Sequence, residues 1–159
     1  MDFNHFDERG HAVMVDVSAK QPTMRTAVAE ALVKMTPELL AAINSGGVAK
    51  GDVLGVARLA GIQAAKKTPE LIPLSHPLAI HHVAVDFVQK LETGTISARC
   101  TVRAFERTGV EMEAMIGATL AALTIYDMCK GADKSISISE VRLLFKEGGK
   151  SGVYKRGES

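Results

Sequence analysis

A chain of 159 residues, 47% apolar and 23% charged, has the length and balance of one globular domain with a single core. Nineteen basic against eighteen acidic residues leave a formal net charge of +1, which argues against duplex nucleic acid or an anionic membrane as partner. With no Trp, 4% aromatics and two isolated cysteines, the composition disfavours a base-stacking platform, a zinc framework and a disulfide scaffold, and Cys100 and Cys129 read as buried, reduced thiols.

The acidic opening MDFNHFDERG is unlike a secretory signal, and no apolar run reads as long enough to cross a bilayer. The expectation is a cytoplasmic protein. Residues 1–12 and the Gly-, Lys- and Ser-rich tail of about 147–159 are expected to be mobile ends of a single domain spanning 1–159. Met24 to Met35 is ambiguous: alternation is weak and its Ala-rich composition leans helical. Pro37 starts a short helix through Ile43, which Asn44-Ser45-Gly46-Gly47 terminates. Asp52 caps a second helix running to about Lys67. Pro69, Pro73 and Pro77 make LIPLSHPL a stiff connector.

Val83, Val85 and Phe87 alternate as a strand, Thr93-Gly94 turns, and Ile96, Ala98, Cys100, Val102 and Ala104 form the clearest period-two face of the chain. Thr108 and Glu111 spell a capping box for a long helix from Val110 to about Lys130, stopped by Gly131. A last strand covers Ser135 to Phe145, with an apolar slip that places a bulge near Ser139. If Met24–Met35 is a strand, the order is a split βαββαβ. The fold class is then α+β and ferredoxin-like, with helices packed on one face of an antiparallel sheet.

Asp127 and Lys130 are three residues apart and share a helix face. That spacing also describes an ordinary exposed ion pair, but LTIYDMCKG sets both charges among apolar residues, which favours acid–base partners. Glu111 has a structural role in the capping box; Glu113 has none. Glu113 and Asp127 lie fourteen residues apart, about 21 Å along one helix. One small guest cannot easily bridge both ends, so either one cluster is not catalytic or a neighbouring subunit completes the site, as in a symmetric oligomer. Lys50, separated from the capping Asp52 by Gly51, suits phosphate oxygens or is a plain loop lysine. His76, fixed between Ser75 and Pro77, can hold a phosphate or shuttle a proton, or be structural. His81 and His82 receive no role. GGKSG at 148–152 is not a phosphate-binding P-loop, because Leu144 stands where glycine is required and no helix follows; Lys146 and Lys150 can still approach an anion.

Together HAVMVDVSAK, KGDVLGVARLAGIQAAKKTPELIPLSHPL, GVEMEAM and ALTIYDMCK resemble the MoaC family, from about His11 to Gly152. The resemblance implies a ferredoxin-like unit assembled as a hexamer, a trimer of dimers, with active sites at subunit interfaces. It implies conversion of 3′,8-cyclo-7,8-dihydro-GTP, the product of a separate radical SAM enzyme, to cyclic pyranopterin monophosphate with release of diphosphate, in molybdenum cofactor biosynthesis. It assigns Asp127, Lys130 and Lys50 as catalytic, and Leu74, Ser75, His76, Met112, Glu113 and Glu111 as substrate-contacting. Ser75 stands where many members carry cysteine, so a thiol-specific role does not carry over. On these expectations Lys50, His76 and Lys146 hold the triphosphate while Asp127 and Lys130 move protons, and a neighbouring cation or burial lowers the pKa of a basic lysine. No cofactor is required; Mg²⁺ can accompany the triphosphate, without a dedicated metal site. The alternatives are a non-catalytic ferredoxin-like ligand-binding or regulatory module, needing none of Lys50, Asp127 or Lys130, and, last, an RNA-binding sheet, for which Phe87 and Phe105 make no aromatic motif.

Overall fold

A computed structural model describes residues 5–48 and 50–157. Strand β1, Thr23–Lys34, forms the centre of a five-stranded antiparallel sheet. The ambiguity of this segment resolves as strand. Ala27, Ala29, Ala31 and Val33 are fully buried on one face, and their small side chains let a helix lie close upon the sheet. Pairing on both edges overrides the helical preference of alanine.

Helix α1, Pro37–Asn44, begins where expected, with Thr36 Oγ1 accepting from the Leu39 N–H at 3.2 Å. Helix α2, Val53–Lys66, is capped by Asp52, whose Oδ1 accepts from the Gly55 N–H at 2.8 Å. A one-turn helix α3, Thr68–Leu71, occupies the first part of the proline-punctuated region, and the chain then runs irregularly to Ala79. Strands β2, Ile80–Lys90, and β3, Thr95–Glu106, make the expected hairpin. Its turn needs glycine: Gly94 has φ 62°, and a Cβ there would collide with the Met35 carbonyl oxygen. All five residues of the period-two face of β3 are completely buried.

Helix α4, Glu111–Cys129, starts without the capping box. Val110 is the N-cap and no side chain caps it, so Thr108 lies outside the helix and Glu111 is the first helical residue rather than the third. By length and composition alone α4 could cross a membrane, contrary to the expectation that no run is long enough. Its Ala114, Gly117, Ala118, Ala121, Ala122 and Ile125 instead face the core, and composition was misleading because a central helix is apolar almost all round.

Strand β4, Ser137–Glu147, pairs with β1. The bulge falls at Glu140–Val141, which stand opposite Ala31 alone, and Glu140 takes the left-handed φ of 50°. The tail adds β5, Tyr154–Lys155, on the edge of β4, a short strand that polar composition concealed. Sheet order is β2-β3-β1-β4-β5, and α2 and α4 pack on one face, the expected ferredoxin-like arrangement. The helices approach closely at Gly61 and Gly117, with Cys100 beneath. Both thiols are free and buried as expected, and burial pushes Cys100 up to about 12.

Candidate active site

Two clusters form at opposite ends of α4. At its C-terminal end Asp127 is in the last turn and Lys130 is the C-cap, still in αR conformation, so the two side chains meet on one face. Lys130 Nζ lies 2.7 Å from Asp127 Oδ1. Lys50 arrives from the loop before α2: its Nζ donates to the Asp127 backbone carbonyl at 2.8 Å and lies 3.7 Å from Oδ2. The lysine thus satisfies an orphan carbonyl of the helix end and a side-chain charge together.

Lys130, by hydrogen bond and charge, and then Lys50 hold the Asp127 carboxyl below its ordinary range. In return Asp127 raises Lys130. This corrects the expectation of a lysine pushed toward neutrality, because a carboxylate rather than a cation is its nearest charged neighbour. Two ammonium groups around one carboxylate leave the cluster with a surplus positive charge, half exposed to an incoming anion.

At the N-terminal end of α4 a cavity of about 460 Å³ opens between three segments. The proline-stiffened connector contributes Leu74, Ser75 and His76, and the first turn of α4 contributes Glu111, Met112 and Glu113. The third wall is the N-terminal segment, with Val15, Val17 and Lys20. No site residue was expected in that segment; the alternation of Val13, Val15 and Val17 and the motif HAVMVDVSAK were the available signals.

Glu113 is 2% exposed, and its pKa is raised to about 7, first by burial and then by the nearby Glu111 charge, against a hydrogen bond from its own backbone N–H. A carboxyl that titrates near neutrality in a cavity can give or take a proton. Glu111, released from the capping box, pairs with Lys146, whose Nζ is 3.1 Å away and also donates to Ser151 Oγ at 2.9 Å. His76 Nε2 lies 2.7 Å from the Val15 carbonyl oxygen. A carbonyl only accepts, so this nitrogen carries the proton.

The fold therefore unites Lys50 with Asp127 and Lys130, and Leu74, Ser75 and His76 with Glu111, Met112, Glu113 and Lys146. Within one chain it does not unite the two groups, which the length of α4 holds about 21 Å apart. Among the described residues no three His, Cys, Asp or Glu side chains converge as a metal site.

Residues 14–149 match the model of the MoaC family. A cyclic pyranopterin monophosphate synthase of Pelobacter propionicus is 78% identical over 158 residues, covering 99% of each chain. One of Geobacter metallireducens is 72% identical over the same length with the same coverage. The synthase of Roseiflexus is 53% identical over 153 residues, 96% of this chain and 97% of its own. Similarity of this depth spans both clusters and the connector between them, and the chain belongs to the MoaC family.

Proposed function

We propose that this chain is a cyclic pyranopterin monophosphate synthase of molybdenum cofactor biosynthesis, a lyase that converts 3′,8-cyclo-7,8-dihydro-GTP to cyclic pyranopterin monophosphate and diphosphate. The observation that carries the chemistry is the pairing of a cationic acid–base cluster with a cavity holding a near-neutral carboxyl, one at each end of α4. Lys50, Lys146 and His76 would offset the charge of the triphosphate and of the departing diphosphate. Lys130 enters the reaction as an ammonium, so it serves first as a proton donor; Asp127 then takes a proton released by the substrate and passes it across their 2.7 Å contact to the neutral amine. Glu113, poised near neutrality, supplies a second transfer site. Mg²⁺ would come in on the triphosphate oxygens, and a radical SAM enzyme must supply the substrate upstream.

Two copies make one site. The outward side of α4 carries Met112, Ile116, Leu120 and Leu123 in a stripe with Asp127 at its far end, and Leu123 is 48% exposed. Antiparallel pairing of this stripe across a twofold axis near Leu120 would set Glu113 of one copy beside Asp127 of the other, and three such dimers make the hexamer. The enzyme would work in the cytoplasm.

Incubating pure protein with cyclic dihydro-GTP, then measuring diphosphate and the pyranopterin product, tests the reading. Absence of turnover by a folded, oligomeric sample would refute it.

A further inference from the structure

The N-terminal wall of the cavity is built unlike the other two. Residues 13–17 have no regular secondary structure and belong to no sheet. Val15 and Val17 are half-buried while Asp16 and Ser18 are exposed, so the segment lies on the molecule by one edge only. Two side chains tie it down through its carbonyls: His76 to Val15 at 2.7 Å and Arg107 Nη1 to Ser18 at 3.3 Å. Arg107 is itself anchored, since its own carbonyl accepts from Arg25 Nη2 at 3.1 Å. A second hollow, bordered by Met14, Asp16 and Arg107, lies against the same segment, so it is latched more than it is packed.

Beyond the latches the chain turns. Asp16 Oδ1 accepts from the Ser18 N–H at 2.8 Å, and the Lys20 N–H closes the turn on the Val17 carbonyl at 3.0 Å. The turn brings Lys20 to the cavity. Among the described residues Lys20 makes no ion pair, whereas Lys146 is already engaged by Glu111. Without Lys20, the charged groups of this half-site are Glu111 and the titratable Glu113 against Lys146, a poor reception for a polyphosphate.

We propose that Lys20 is a further anion-binding residue of the site, carried to the cavity by a strap, residues 14–20, that His76 and Arg107 latch. The inference rests on the reading that the guest is a triphosphate. It also gives His76 a second role, because its Nε2 holds the strap at the Val15 carbonyl. Guest binding and strap position are therefore coupled.

Wild-type protein, Lys20→Ala and Lys20→Arg are titrated calorimetrically with inorganic triphosphate and assayed with cyclic dihydro-GTP. Lys20→Ala is expected to weaken triphosphate binding about tenfold and raise KM by the same factor, the loss of one charge-assisted hydrogen bond, with kcat within about twofold. Lys20→Arg should recover most of both. Trypsin cleavage after Lys20 in the wild type should slow when triphosphate is added. Triphosphate affinity in Lys20→Ala within about twofold of wild type overturns the proposal, as does a wild type that does not bind triphosphate. A wild type that binds triphosphate through Lys20 but turns nothing over supports the strap and defeats the proposed reaction instead.

Discussion

The Asp127 carboxylate and the Lys130 ammonium lie 2.7 Å apart across the last turn of α4. A carboxylate at a helix C-terminus is opposed by the backbone dipole, so the geometry holds because Lys130 and Lys50 both compensate it. All three side chains are about half exposed, which makes the cluster a poor stabiliser and a good receiver of anions.

Asp127→Ala and Lys50→Ala should each lower turnover at least about 100-fold, the scale of a general acid–base or charge-stabilising group. Steady-state kinetics alongside sedimentation of the oligomer checks this. Wild-type turnover in either variant removes that residue from the mechanism.

Glu113 predicts a pH dependence of stability. Its carboxyl has an ordinary value of 4.5 and rises to about 7 in the folded chain, so between those values the native state keeps a proton that the unfolded chain has lost. The contribution is full below 4.5 and disappears as pH climbs through about 7, on the order of 3 kcal/mol at most. Urea denaturation at pH 5 and pH 8 should show wild type losing stability relative to Glu113→Gln at the higher pH. Parallel behaviour of the two proteins would contradict a buried, raised carboxyl.

If the halves of the site come from two copies, inactive variants should rescue each other. In a mixed dimer of Glu113→Gln with Asp127→Asn, one of the two sites collects both substitutions and the other neither. Random co-assembly then returns roughly a quarter of wild-type activity. Co-expressed, doubly tagged protein gives the measurement, and no recovery in verified mixed dimers would exclude the shared site.

Gly117 sits where α2, α4 and β3 come closest. A Cβ there would meet Cys100 Sγ at 2.5 Å, and one on Gly61 would meet the Gly117 carbonyl oxygen at 2.8 Å. Alanine gains about 1 kcal/mol of helix propensity over glycine, but overpacking costs about 1–3 kcal/mol. Gly117→Ala should therefore be destabilised, read as a lower urea midpoint with an unchanged slope.

Short-range signals made most of the fold legible. The helix start at Pro37, the cap at Asp52, the period-two face from Ile96 to Ala104 and the parity slip near Ser139 are local, and each matches an element of the structure. Most residues of the two clusters at the ends of α4 were nameable by spacing or by resemblance to a family, but the wall of Val15, Val17 and Lys20 was not. What sequence could not decide was which of two locally possible partners a group takes. Ala-rich Met24–Met35 is compatible with helix or strand until β3 and β4 flank it. Glu111 is spaced for a cap, yet it bonds Lys146, thirty-five positions further along the chain. Lys130 stays charged because Asp127 is its nearest neighbour, and Val15 reaches His76 across sixty-one positions. Contacts between distant residues are chosen by burial and register over the whole chain, and no window of neighbouring residues carries that information.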